Sequence, residues 1–472
     1  MSLKDVENII SAKQKRNIIL ALIVAIFLGA MEGTVVTTAM PTIVRELQGF
    51  QIMSWVFSVY LLTSAVTTPI YGKFADMYGR KKTLSIGITI FIIGSCLCGF
   101  SQNMLQLIFF RGIQGLGAGA IFTVTYTIVG DVFTLAERAR VQGILSSVWG
   151  VASLLGPLVG GSFIDFLSWH WIFFINLPLG LLSLAMLQKN LTEDFEKQEH
   201  QIDYGGIIFL SIAIVAFLGI MVTWYTVIVF VLAMIIFYFI EQKAHEPVIP
   251  LEILTRNTVI VHTLSFLASA ILMGADVYLP LFMQSVLGIK AIFSGLTMAP
   301  MSLSWLIAAF FMGKALIRYG ERWVMFFSFG VLIGSCLMLL PLDTESNILR
   351  IGIAVFIMGI GFGGCFPSLT IIIQTAVGYE QRGAATALNS LVRTIGQTVG
   401  VSSFGSLLNV TMARYFAQDG SPSTGLVDVN ALNFSLHAVF IAFVIIAMVC
   451  FLLSFSLSNQ LKEEKEARGE RQ

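Results

Sequence analysis

Charge is scarce in this chain: Asp, Glu, Lys and Arg make up only 12% of its 472 residues, about half the share usual in soluble proteins. The hydrophobic share is 56%, gathered in blocks of eighteen or more residues. That pattern excludes a water-soluble globular domain and predicts a polytopic membrane protein. Cysteine is sparse as well, and Cys96, Cys98, Cys336, Cys365 and Cys450 all fall inside apolar runs. They have neither metal-site spacing nor loop positions suited to disulfides, so they read as small core residues. Five histidines, His170, His200, His245, His262 and His437, form no HxxxH pair and adjoin no acid cluster. A metal centre or catalytic triad is therefore not expected. His262 and His437 lie well inside apolar runs, where packing or hydrogen bonding is the simpler role. No GxxxxGK[ST] sequence occurs, so an ion gradient rather than ATP is the expected energy source, with no cofactor. A net charge of +1 gives no sign of a nucleic-acid partner.

What the chain does hold is apolar length. Runs near 17–40, 54–72, 83–101, 104–130, 139–162, 169–187, 205–222, 224–241, 257–282, 292–313, 322–341, 349–370, 383–409 and 434–457 read as fourteen transmembrane helices. The polar, basic start leads into the first run without a small-residue cleavage site, so a retained first span is expected. The seventh and eighth runs, separated by little more than Thr223 and Trp224, follow the charged segment 189–200. They read as a hairpin between two six-helix bundles, dividing the chain into 1–187, a linker with hairpin over 188–256, and 257–472 with a short tail. Of the 28 Lys and Arg, 22 fall on the side of the amino terminus and four (Arg45, Lys290, Arg350, Arg414) on the other, with Arg111 and Arg393 inside spans. The positive-inside rule then predicts both termini in the cytoplasm.

The two halves echo one another. Gly72-Lys73 and Tyr78-Gly79 meet Gly313-Lys314 and Tyr319-Gly320 at an offset of 241, and Gly115, Gly117 and Gly119 meet Gly359, Gly361 and Gly363 at 244. Arg138 meets Arg382 and Gly156 meets Gly400 at that second offset. Such a duplication suits two bundles rocking about a site between them.

Few charges lie inside the spans, and each needs a reason. Glu32 lies about 22 Å into the first run, too deep to snorkel, so it is expected to face a water-filled cavity or a partner rather than merely lock packing. Arg111 lies about 10 Å from the outer end of the fourth run, in the same membrane half as Glu32. It is followed by Gly112, Gly115, Gly117 and Gly119, read as close helix packing because a phosphate loop would need a preceding strand. Between the second and third runs, Gly72 to Lys82 forms a short basic loop in which Gly72 and Gly79 allow a tight turn. Asp76 there, an acid among cations beside helix ends, can pair with an arginine or with a helix amino terminus and hold one conformation closed. In the fifth run, Gly150 to Gly161 offers a close-packing face, and Pro157 beside Gly156 can bend it into a hinge. Asp276, about 28 Å into the ninth run, reads as a second intramembrane acid or as a residue of the outer loop edge. Asn389 and Arg393 are polar counterparts in the thirteenth run.

With these residues in view the chain resembles the major facilitator superfamily. Gly72 to Lys82 is similar to that family's signature loop, Arg111 to Gly119 to its fourth-helix arginine motif, and Gly150 to Gly161 to the fifth-helix motif of its antiporters. Met31 to Pro41 and Trp169 to Pro178 resemble motifs of the 14-helix drug:proton antiporter branch. Two residues depart: Glu32 stands where that branch usually has Asp, and His170 where it usually has Arg between two tryptophans. The resemblance covers nearly the whole chain. It implies a proton-coupled exporter of lipophilic, cationic compounds in the cell membrane, with protons, such substrates and lipids as partners and a monomer as the working unit. Glu32, Asp276 and Arg111 would couple proton to cation, and Gly72, Asp76, Gly79, Arg80, Gly156 and Pro157 would gate. The alternatives are a proton-coupled importer of a polar nutrient, for which the fifth-helix Gly-Pro run is unexpected, and an intramembrane enzyme or receptor, for which nucleophiles, metal ligands or an output domain are missing.

Overall fold

The computed structural model describes residues 11–191, 193, 204–219, 225–243, 253–378, 381–419 and 428–457. These are almost entirely helical, because an intramembrane backbone must satisfy its N–H and C=O groups within its own segment. Among the described residues fourteen helices follow in order: α1 (Ala12–Leu47), α2 (Met53–Tyr78), α3 (Arg80–Gly99), α4 (Met104–Val132), α5 (Leu135–Phe166), α6 (Trp171–Asn190), α7 (Tyr204–Gly219), α8 (Thr226–Glu241), α9 (Arg256–Ser285), α10 (Ala291–Tyr319), α11 (Glu321–Leu339), α12 (Ile348–Thr375), α13 (Arg382–Asp419) and α14 (Val429–Ser454). Eleven are long and apolar enough to cross a membrane, whereas α7 and α8 are shorter apolar helices and α13 is a longer, more polar one. The chain is an all-α, multi-pass membrane protein.

The ends are set by local chemistry. Ser11 and Asn103 side chains accept from Gln14 N and Gln106 N, and Thr134 N donates to Glu137 Oε2 at 3.0 Å, capping α1, α4 and α5. The expected loop over 72–82 is far shorter than hydropathy implies. Helix α2 runs on to Tyr78 and α3 begins at Arg80, so Gly72, Lys73 and Asp76 are helical and only Gly79, with φ +93°, breaks the chain. Polar residues continue a helix beyond the hydrocarbon, and a positive φ stops it. Its counterpart Gly320 (φ +87°) separates α10 from α11 in the same way. The hairpin turn at Thr223 and Trp224, and most of the charged segment before α7, lie outside the described residues.

Packing is heaviest within two groups, α1–α6 and α9–α14. The glycine repeat shows why. A methyl on Gly115 or Gly119 would strike Tyr60, Thr63, Ser64 and Thr67 of α2, while one on Gly117 would strike Gly87 and Phe91 of α3. In the other half Gly359 and Gly363 meet Met301, Ser304 and Trp305 of α10 in the same fashion, and Gly361 meets Ser328 and Leu332 of α11. Helices α4 and α12 are thus each held between two neighbours by backbone approach. Hydrogen bonds joining the groups gather at the end away from the termini: Gln284 Nε2 to Thr38 O (2.8 Å), Asn409 Nδ2 to Gln51 O (2.7 Å), Ile292 N to Asp165 Oδ2 (3.2 Å), and Ser58 with Ser402 (2.6 Å). Helix α7 touches both groups, burying Leu210 and Ile214 among Leu62 and Val66 of α2 and Leu391 and Ile395 of α13.

Candidate functional site

Glu32 and Arg111 meet. Arg111 of α4 donates through Nη1 to Glu32 Oε1 of α1 and to Gln114 Oε1 (2.8 Å), and through Nε to the Val56 carbonyl of α2 (3.2 Å). Its guanidinium lies 4.0 Å from the centre of the Tyr60 ring. The other carboxylate oxygen accepts from Asn176 Nδ2 of α6 at 2.7 Å; Asn176 also donates to Ser95 Oγ of α3 (2.9 Å), which donates to the Phe173 carbonyl (2.8 Å). Five helices therefore converge on one buried ion pair, whose two side chains are each 1% exposed. A charge pair in so dry a place persists only when the remaining donors and acceptors are matched, and here most are. Gln114 Nε2 and the Tyr60 hydroxyl alone in this group are buried without a partner among the described residues. Next to the pair, Gly33 is exposed although Met31, Glu32 and Val35 are buried, and a side chain built on it would meet nothing within 4 Å. Helix α1 borders open space at that level.

Asp276 stands apart from this cluster. It is partly exposed on α9 and forms no ion pair or hydrogen bond among the described residues. Arg393 of α13 is likewise partly exposed, with its guanidinium 4.1 Å from the Phe366 ring centre.

The gating candidates fall into two places. At the side of the termini, Arg80 pairs with Asp76 (3.0 Å) and with Asp131 at the end of α4 (2.7 Å). Glu193, beyond α6, accepts from the backbone N–H groups of Arg80 (2.7 Å) and Lys81 (3.0 Å), sealing the start of α3. A side chain on Gly79 would press on that carboxylate at 2.9 Å. Gly72 is less crowded, its nearest neighbour being Thr123 at 3.7 Å. Away from the termini, Gly156 lies against Thr34 of α1, and the Pro157 carbonyl lies against Gly295 of α10. Pro157 is inside an unbroken α5, so the Gly-Pro step serves as a contact between the groups as well as a missing backbone donor.

Sequence reasoning overlooks Asn176, Ser95, Gln114, Tyr60, Asp131 and Glu193. A search for uncharged polar residues in the spans would raise Asn176 and Gln114. Glu193 sits in a charged stretch that gives no such signal. His170 stacks on Trp169 at 3.8 Å and contacts Ser168 Oγ at 2.5 Å. Burial holds its imidazole below the usual histidine range, against the pull of Glu46, whose Oε2 accepts from Trp169 Nε1 at 2.7 Å. That segment therefore fastens the loop before α6 to the end of α1. Among the described residues no group of three His, Cys, Asp or Glu side chains could hold a metal.

Among known proteins, the chain is 32% identical over 437 residues to the multidrug transporter protein MdtP of Bacillus subtilis (strain 168), covering 90% of this chain and 81% of the relative. It is 36% identical to multidrug resistance protein 3 of the same organism, with coverage of 83% and 79%. The multidrug efflux pump SdrM of Staphylococcus aureus (strain N315) shares 26% identity, with coverage of 82% and 89%. Among solved structures, a bacterial homologue of the human lysosomal transporter Spinster, in an inward-facing, unoccupied conformation, superposes with a TM-score of 0.71 at 15% identity. It covers 95% of this chain and 98% of that one. A mutant of the nucleoside transporter NupG superposes with a TM-score of 0.68 at 14% identity, covering 93% and 99%; both likenesses concern the fold. The profile described as Major Facilitator Superfamily matches residues 22–401. The chain belongs to that superfamily.

Proposed function

We propose that the protein is a multidrug exporter that exchanges protons for lipophilic, cationic compounds by alternating access. Its relatives named as multidrug transporters and efflux pumps support the drug class. The observation that carries the coupling is the buried Glu32–Arg111 pair, anchored by Asn176 and bordering open space at Gly33. A carboxylate in that position has two ways to be neutralised, a proton or a cation, besides its arginine. An arriving proton weakens the hold on Arg111, and an arriving cationic substrate competes for the same oxygens, so the two ligands exclude each other. That exclusion is the requirement for antiport, because each species must leave before the other occupies the site. Asp276, unpartnered on α9 among the described residues, offers a second negative charge from the opposite bundle. Tyr60 and the methionines of the core, such as Met31, Met298 and Met301, supply polarisable surface for varied apolar shapes.

The excess of basic residues on the side of the termini supports a cytoplasmic location for both ends and for the Arg80 cluster, in the cell membrane. Hydrogen bonds between the groups then gather on the external side, which favours the inward-accessible state. We read α7, α8 and α13 as crossing too, and the fourteen helices support membership of the 14-helix drug:proton antiporter branch.

Gradient-driven ethidium accumulation in inverted vesicles containing the purified full chain tests the reading. Wild type is expected to accumulate the dye only with an imposed pH gradient, Glu32→Gln is expected to lose at least nine-tenths of that activity, and Glu32→Asp to keep much of it. Full gradient-driven transport by Glu32→Gln would rule out Glu32 as the coupling acid. Accumulation of the dye without any gradient would rule out proton exchange.

A further inference from the structure

The two arginines inside the spans are treated differently by their surroundings. Arg111 sits on Tyr60 and is neutralised by Glu32. Arg393 sits on Phe366 at nearly the same distance, yet it has no ion pair and no hydrogen bond among the described residues. A permanent cation inside a membrane span is costly without a counter-charge or water, and guanidinium presents five donors in a planar fork that matches a carboxylate. The nearest acid in its neighbour α9 is out of reach. Gly396 packs against Phe266 and Gly400 against Ala270, which sets Arg393 level with Thr263. Asp276 lies thirteen residues farther along α9, or about 20 Å at 1.5 Å per residue.

The surroundings are polar on one side and aromatic on the other. One turn before Arg393, Asn389 is 2% exposed, and beside it His262 of α9 is 7% exposed and interacts with the Asn389 side chain, with no further hydrogen-bond partner for its ring among the described residues. An amide and a neutral imidazole can each donate one hydrogen bond to an anion held by the arginine. On the other side, Phe366 stacks on Trp305 of α10 (5.2 Å between centres, 13° between planes) and on Phe362 (5.7 Å, 24°). Trp305 is only partly buried, which leaves ring surface for a further flat group.

We propose that Arg393, Asn389 and His262, beside the Trp305–Phe362–Phe366 stack, form a binding subsite for the carboxylate of an aromatic acid. The ring of the ligand lies along the aromatic stack and its carboxylate meets the guanidinium. The subsite goes beyond cation exchange at Glu32: an amphiphile carrying both an ammonium and a carboxylate would find an opposite charge in each bundle. It rests on the transport reading only in taking the space between the bundles as a place where substrates sit.

Binding without any gradient keeps the two readings separable. Equilibrium dialysis of the full chain in lipid nanodiscs, corrected with empty discs, would compare 2-naphthoate with 2-naphthalenemethanol and 2-naphthylmethylammonium. Wild type is expected to bind naphthoate at least tenfold more tightly than the alcohol. Arg393→Met is expected to shrink that preference below twofold, Arg393→Lys to keep part of it, and Trp305→Ala to weaken both ligands alike. Equal binding of the acid and the alcohol by wild type, or a preference that survives Arg393→Met, overturns the proposal. Should Arg393→Met fail to fold, Asn389→Leu decides: a several-fold loss for naphthoate alone supports the subsite, and an unchanged preference rejects it. Loss of ethidium transport with intact naphthoate selectivity would fault the antiport reading and leave the subsite standing.

Discussion

Asn176 does more for the central ion pair than its neutral side chain suggests. One amide group donates to both Glu32 Oε2 and Ser95 Oγ, so it ties α6 to α1 and α3 while satisfying the carboxylate oxygen that Arg111 does not occupy. A hydrogen bond to a charged group contributes about 1.5–3 kcal/mol, and losing it in a dry site leaves the full desolvation penalty. Asn176→Leu is therefore expected to lower stability by about 2 kcal/mol, since its apolar side chain fills the space without offering a donor. Tryptophan-monitored unfolding in mild detergent checks the magnitude, and an unchanged midpoint would remove Asn176 from the node. Glu32 and Arg111 are legible in the sequence because a charge inside an apolar run stands out by itself. Asn176 is not, since amides recur in spans for many reasons and only the fold brings this one to Glu32. Asp276 is equally visible, but its depth along α9 does not reveal that it stands without a partner among the described residues.

At the scale of helices, the repeat of small residues carries more information than hydropathy. Gly115, Gly117 and Gly119 with their partners 244 residues later read as close packing, and they are the points where α4 and α12 meet two neighbours each. Hydropathy, in contrast, puts the end of α2 at 72 and the start of α3 at 83, because it registers the hydrocarbon boundary rather than the helix end. The hydrogen-bonded helix continues through Lys73 and Asp76 into water until Gly79 turns the chain. Glycines on one helix are thus unequal, and substitution should sort them. Gly117→Ala sets a methyl against the Phe91 and Gly87 backbone, which cannot yield without moving α3. It is expected to cost about 1–3 kcal/mol, as overpacking does. Gly33→Ala meets nothing and is expected to leave stability within about 0.5 kcal/mol of wild type. Thermal unfolding of the two variants side by side checks the contrast; equal behaviour would mean that α3 and α4 separate more easily than their contact implies.

For the whole molecule, the proposed alternating access requires the two groups of helices to part at one end and meet at the other, and Ser58 with Ser402 offers a way to hold them. Their hydroxyls are 2.6 Å apart across the seam between α2 and α13. A Ser58→Cys, Ser402→Cys pair is expected to form a disulfide under mild oxidant and to stop gradient-driven transport, which reductant should restore. Each single variant should remain active, and a fully active oxidised pair would show that this seam does not open during turnover. The hairpin of α7 and α8 is legible as an insertion, but not its seat, since lipid-facing helices look alike in sequence wherever they dock. Its seat has a mechanical consequence. Because α7 lies against α2 and α13 at once, it cannot keep both contacts when those helices move apart, and the apolar area it exposes must be taken up by lipid. On the alternating-access reading, each opening then passes apolar area from protein to lipid and back, so that the surrounding bilayer shares in the work of the cycle.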